Sequence, residues 1–384
     1  MTEHEPIPDW VKDATVEGTD ERERAEEYIE KKVLSLEEAE ASQRQAKLAI
    51  QEIADHEIGS PFLTPDGERL PMTDTEREKM DQRLTLLGQL MKDANIRWHL
   101  DGALNISLYR DEYIGVHKDI DVTIDGQDTE RLDAYLSEHE YGLFLVEAED
   151  NPAGGFSGKF RRVDGKRFRE AVSHKLIAAI DEHGEIQRNA PLNFIDVRLP
   201  RRNADGAVLG YADVVLPQSW EAGRSKDFHG EQLRLSHPAE VAYHKLHLSR
   251  SYDLTDMKIL AAGQVLTEAD MNDLERLIVE EEQSKMLAAE AFVDRMLDLC
   301  QPTMSQEQVE IKFLSDPDVN RRIESGLSTA TIKAFARVFH QHLTEDRDTA
   351  RTIIVETIVK EIDRHPRQQF GILKKEWEAA QTET

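Results

Sequence analysis

Asp119 and Asp121 stand one residue apart in His117-Lys118-Asp119-Ile120-Asp121-Val122-Thr123-Ile124, an apolar, β-prone run. In a strand, residues i and i+2 share a face. Two carboxylates held together on one face repel each other and are costly to remove from water; a divalent cation relieves both costs. The pair is therefore a candidate metal site. Just upstream, His99-Leu100-Asp101-Gly102-Ala103-Leu104 places a glycine turn where backbone N–H groups can cradle a phosphate. Together the two segments point to metal-assisted phosphoryl-group chemistry.

These residues need a scaffold, and the surrounding pattern supplies one. Ile96 to Leu100 reads as a strand running into Gly102, 103–108 as a helix, and 120–124 as a second strand. Thr73 or Asp74 caps a helix that runs to about Lys92 and buries Leu84, Leu86, Leu87, Leu90 and Met91. Residues 129–138 suit a helix and 143–147 a short strand. Phe194-Ile195-Asp196-Val197-Arg198-Leu199 alternates cleanly and reads as another strand, and 211–216 as one more. From His237 onward the chain reads as mainly helical, with breaks near Gly263, Pro302, Pro317, Gly326 and Pro366. At the other end, residues 1–18 have the composition of a disordered start, 20–56 read as a long helix, and 59–67 as a loop.

At 384 residues the chain is too long for one small core. Three parts are expected: a disordered start and helical arm over 1–70, a catalytic domain over 71–262, and a helical domain over 263–384. The fold class is α/β (α+β), with a mixed sheet. Charged residues are 32% and hydrophobic ones 39%, and no apolar run reaches the roughly 20 residues of a membrane span. The first residues lack the basic start and apolar stretch of a secretory signal, so a cytoplasmic location is expected. A single cysteine, Cys300, leaves no internal disulfide and no cysteine-based zinc cluster. The net charge of -28 repels nucleic acid at long range without excluding a local basic patch. One such concentration exists: Lys159, Arg161, Arg162, Lys166, Arg167, Arg169 and Lys175. It reads either as a solvated face or as a docking patch for triphosphate or RNA phosphates.

The strand, glycine turn, helix and Asp-x-Asp strand resemble the nucleotidyltransferase superfamily built on the polymerase-beta-like core. The likeness is to bacterial aminoglycoside and lincosamide nucleotidyltransferases and to abortive-infection toxin nucleotidyltransferases. It covers about residues 80–262 in pieces. Its marks are Asp101-Gly102-Ala103, Arg110, and His117-Lys118-Asp119-Ile120-Asp121, with Ala103 where relatives have Gly or Ser. A second mark is the helical segment from His237 to Leu260, in which Lys245, Arg250, Asp253 and Asp256 recur as in relatives.

The resemblance implies transfer of a nucleoside monophosphate from a nucleotide triphosphate to a hydroxyl, with Mg²⁺. Asp119 and Asp121 would ligate the metal, and Asp196 would complete the site or act as base, with Asp213 the second choice. Gly102 and Ala103 would hold phosphate through backbone N–H groups. Lys245 and Arg250 would approach the nucleotide, and Asp253 and Asp256 would hold that helix and its cations in place. The acceptor would be a small hydroxylated molecule such as an aminoglycoside, or a tRNA end or protein side chain. The alternative is a non-catalytic nucleotide-binding or interaction protein on the same fold.

Other signals read more plainly. His237, His244 and His247 lack the partners that complete a tetrahedral zinc set. His99 reads as packing beside its strand and His117 as orienting the turn before the aspartates. The run 153–160 has phosphate-loop glycines at the wrong spacing, with Phe160 where Ser or Thr is needed, and reads as a turn.

Overall fold

Two strands set the plane on which the rest is arranged. In β2 (Ile120–Ile124) the residues Ile120, Val122 and Ile124 are fully buried, and in β6 (Ile195–Arg198) so is Ile195, with Val197 nearly so. Their alternating partners Asp121, Asp196 and Arg198 are half-buried on the opposite face. This is the period-2 pattern of a sheet with one face in the core.

The computed structural model describes residues 64, 68–117, 119–150, 156–171, 173–187, 189–248, 251–316, 319, 329–360 and 365–382. The expected disordered start, the helix over 20–56, nearly all of the loop over 59–67, and Arg250 lie outside the described residues.

The described elements begin with α1 (Asp74–Asp93), β1 (Trp98–Leu100), α2 (Gly102–Arg110), β2, α3 (Thr129–Glu138), β3 (Tyr141–Asp150) and β4 (Phe156–Val163). Next come α4 (Gly165–Glu170), β5 (His174–Ala179), β6, β7 (Arg201–Arg202), β8 (Val208–Leu209), α5 (Gln218–Glu221), β9 (Arg224–Phe228) and β10 (Glu231–Leu235). The remainder is helical: α6 (Pro238–Leu246), α7 (Ser251–Ala262), α8 (Glu268–Leu299), α9 (Gln306–Leu314), α10 (Thr329–His342), α11 (Arg347–Lys360) and α12 (His365–Thr382).

The main sheet is mixed, with strand order β4-β3-β5-β6-β2-β1-β10-β9. β2 pairs parallel with β6 and β1 parallel with β10; β1–β2, β5–β6, β3–β5 and β9–β10 are antiparallel. One face packs on α1, α3 and α4 through Leu84, Leu87, Leu132, Leu136 and Phe168. A second core gathers Ile106 of α2, Tyr243 of α6, Leu260 of α7, Leu274 of α8 and Leu373 of α12. α1 starts as expected at Thr73, whose side chain and that of Glu76 form a reciprocal capping box.

The chain divides into two compact units. One holds Leu48–Glu147, Ser157–Glu281 and Asp363–Thr384, and thus both cores above. The described residues of the other fall within 148–156 and 282–362. Its described core joins Val293 and Met296 to Val309, Phe313, Phe339 and Ile354. There Arg295 grips Asp316 with two hydrogen bonds of 2.8 and 3.0 Å. Among the described residues, no helix is long and apolar enough to cross a membrane.

The structure corrects two elements: residues 156–160, read as part of a turn, begin the strand β4, and the second correction falls at 211–216. Residues 211–216 are not a strand but a 3₁₀ turn over Tyr211–Asp213 followed by a single bridge from Leu209 to Val215. Ala212 and Asp213 both have left-handed backbones, φ 51° and 61°, a conformation that side-chain propensity does not announce.

Gly165, which opens α4, is required by close approach. A Cβ there would lie 2.4 Å from Thr129 O and 2.6 Å from Glu130 Cα, both backbone atoms of α3. Gly165→Ala is expected to cost about 1–3 kcal/mol. A lowered urea midpoint would show it, and an unchanged midpoint would mean that the two helices do not meet so tightly.

Candidate active site

The parallel register of β2 and β6 sets Asp121 directly beside Asp196. Asp119 immediately precedes β2 and comes to the same place. One carboxylate oxygen from each of the three residues lies within 4.8 Å of the others. This is the one convergent group of His, Cys, Asp and Glu of metal-binding size among the described residues. All three side chains are half-buried. Burial pushes the Asp121 carboxyl well above the usual range, and the charges of Asp119, Asp196 and Asp101 push it further.

The donors are oxygens alone, as magnesium prefers, and the site is uncomfortable without a cation. The residues therefore fit a hard divalent metal. Asp213, the second choice for the third carboxylate, lies outside the group; it is exposed and pairs with Arg201 at 2.7 Å.

The glycine turn touches this group. Gly102 has φ +69°, and a Cβ there would fall 2.2 Å from Asp121 Oδ2. Only a glycine lets the N-terminus of α2 come so close to the carboxylate. Asp101 caps α2, its Oδ1 accepting the Gly102 N–H at 2.9 Å. Asp101 Oδ2 accepts the Thr123 hydroxyl at 2.9 Å and faces Arg198 Nη2 at 3.0 Å.

Arg198 is bound on every side. Its Nη2 also meets Glu240 at 2.7 Å, its Nε donates to Thr123 at 3.0 Å, and its Nη1 donates to His244. Burial alone would raise the Asp101 carboxyl, but Arg198, His244 and these hydrogen bonds outweigh it and hold the group below the ordinary range.

Two further residues stand behind the aspartates. His117 is buried and its Nε2 lies 2.8 Å from Ser107 Oγ, which also accepts the Ile114 N–H. Burial, then the charges of Arg69 and Lys245, push its pKa down to about 3, so the ring stays neutral and pins the connection ahead of Asp119. Lys245 is 4% exposed. Its Nζ donates to Asp253 at 3.0 Å and Asp256 at 2.6 Å, and Asp256 is gripped in turn by Arg69 at 3.1 and 2.9 Å. The positive charge of Lys245 is nonetheless felt at Asp121. Arg110 is exposed and reaches instead toward the Ile259 carbonyl.

Sequence reasoning did not single out His174, Arg198 or Glu240. His174 Nε2 lies 2.9 Å from Asp196 Oδ1. It sits on β5, a strand the apolar pattern did not disclose. Arg198 was within reach of the period-2 rule, two positions after Asp196 on the same face. Glu240 carries no local signal, since its partner comes from a distant strand.

Residues 83–153 match the family model described as aminoglycoside-2''-adenylyltransferase. The matched stretch contains the glycine turn and both Asp119 and Asp121. Over that stretch the chain is similar to a family of nucleotidyltransferases. The match supports nucleotidyl transfer as the class of activity.

Three solved structures are similar to parts of the chain. The lincomycin-bound lincosamide antibiotic adenylyltransferase LnuA is 16% identical, with a TM-score of 0.30, over 50% of this chain and 97% of that one. The antibiotic-resistance factor ANT(2'')-Ia is 14% identical, TM-score 0.24, over 46% and 72%. An antigenic nucleotidyltransferase-like protein from Paracoccidioides brasiliensis is 13% identical, TM-score 0.27, over 55% and 90%. No curated protein matches the chain.

Without a divalent cation, three carboxylates repel one another. Asp121→Asn is therefore expected to raise the melting temperature of the metal-free protein, by about 2–4 °C for each kcal/mol of repulsion relieved. Added Mg²⁺ is expected to stabilise the unsubstituted protein and not this variant. A variant that melts lower without metal would contradict this account of the triad.

Proposed function

We propose that this protein moves a nucleoside monophosphate from a nucleotide triphosphate to a hydroxyl group, with Mg²⁺ held by Asp119, Asp121 and Asp196. The observation that carries the reading is the convergence of those three carboxylates beside a glycine that a side chain would disrupt. When bound, the metal would neutralise phosphate charge and polarise the α-phosphorus.

The chain's own residues do the rest. The start of α2 presents a positive helix end to the phosphates through the Ala103 amide, the Gly102 N–H being taken by Asp101. Lys245, fixed by Asp253 and Asp256, adds positive potential beside Asp121 without being free to swing out. The acceptor oxygen attacks the α-phosphorus, the bond from that phosphorus to the bridging oxygen breaks, and pyrophosphate leaves with the electron pair. The acceptor's proton passes to the carboxylate of Asp196, which His174 Nε2 meets at 2.9 Å. Most of the rate comes from positioning and charge.

For the acceptor, we favour a small hydroxylated amine of the aminoglycoside kind. The matching family's description names that class, and a chain of net charge -28 attracts a polycation. An RNA acceptor would need the 159–175 cations, yet these are interleaved with acids. Arg169 pairs with Glu130 at 3.1 Å, Lys175 donates to the Ser173 carbonyl and to that of Ala171, and Arg162 and Arg167 line an open groove of about 430 Å³ together with Asp133 and Asp164.

With Mg²⁺ and an aminoglycoside panel, pyrophosphate release from at least one of the four nucleotide triphosphates is expected, falling about 10²–10³-fold in Asp121→Ala. Equal release from both proteins, or none from either across a broad panel, would favour the non-catalytic nucleotide-binding alternative. RNA binding should be weak, and replacing Arg162, Lys166 and Arg167 by Gln should leave its salt dependence unchanged. A salt slope reduced by about one unit per cation would instead restore RNA as the acceptor.

A further inference from the structure

Tyr211 is one of five large apolar side chains exposed among the described residues, at 38%. Its ring lies flat on that of His247, centroids 3.7 Å apart and planes 16° apart, with His244 edge-on at 5.8 Å. His247 cannot turn: its Nδ1 meets the Tyr243 carbonyl and its Nε2 meets Glu281, each at 2.8 Å. The Tyr211 backbone is fixed as well. Its N–H donates to Tyr243 Oη at 2.8 Å, the same hydroxyl that donates to Glu281. A Cβ on Gly210 would lie 2.4 Å from that hydroxyl.

Behind the ring, Ala212 and Asp213 both take left-handed backbones, a cost that persists only where the surroundings impose it. The aromatic neighbours of the ring are two imidazoles and a phenol.

The platform lies toward the site. His244 touches both Tyr211 and Arg198, and Arg198 holds Asp101, the residue before Gly102. Arg198 and Asp196 share a strand face two residues apart, roughly 7 Å along the strand.

We infer that Tyr211 is a stacking platform for the nucleobase of the donor nucleotide. The inference rests on the triphosphate reading of the aspartate triad. Stacking on an aromatic face tolerates any base, so the platform contributes affinity without choosing among the four.

The test compares two probes that differ in having a base: a non-hydrolysable ATP analogue and inorganic tripolyphosphate, each with Mg²⁺, by calorimetry. Tyr211→Leu should weaken the analogue about 5- to 150-fold and leave tripolyphosphate unchanged. Tyr211→Phe, which keeps the ring, should bind both as the unsubstituted protein does. Equal weakening of both probes in Tyr211→Leu, or of neither, would overturn the platform. So would a variant altered only in its KM for the acceptor, which would assign the ring to that substrate. If the unsubstituted protein bound neither probe, the triphosphate reading would fall first, and the platform with it.

Discussion

Three carboxyl groups must share one small volume, and two parallel strands compel them to do so. Every other feature of the site answers to that constraint. The obvious local remedy would be a cation of the protein's own beside the carboxylates. Two cations are indeed near, but each is already neutralised: Lys245 by Asp253 and Asp256, Arg198 by Asp101 and Glu240. Both therefore shape the field around the triad without discharging it. The repulsion is left standing in the folded protein, and the three oxygen donors fit an external cation.

The residues around the triad are rigid for related reasons. A carboxylate cluster that could relax apart would lose its metal geometry. Gly102 admits the end of α2 against Asp121, Asp101 ties that end to Thr123 and Arg198, and neutral His117 fixes the approach to Asp119 without adding charge. The network is buried and polar, and nearly every donor in it has an acceptor.

Much of this was legible beforehand. β2 and the helix after it occupy the expected residues, because strict alternation and a following amphipathic pattern are strong local signals. The third aspartate was visible for the same reason: Ile195 and Val197 flank it in alternation. What escaped were elements without apolar period. β9, Arg-Ser-Lys-Asp-Phe, is an edge strand with almost nothing to bury, and His174 opens a strand whose apolar residues run continuously rather than alternating. The turn at Tyr211 reads as a strand in the sequence because Tyr, Val and Leu favour strands, while the left-handed backbones of Ala212 and Asp213 carry no such local signal. Partnerships such as Arg198 with Glu240 belong to the tertiary structure and leave no mark on either segment alone.

The order of strands in the sheet has a kinetic corollary. β2 sits between β1, its near neighbour in sequence, and β6, which the ribosome delivers only after β3, β4 and β5; β1 waits longer still for β10. Central pairings of such high contact order form slowly. During synthesis the first two strands must therefore persist with their hydrogen-bonding edges open, and a nascent chain halted before β6 would hold a pair of aspartates with no third to join them.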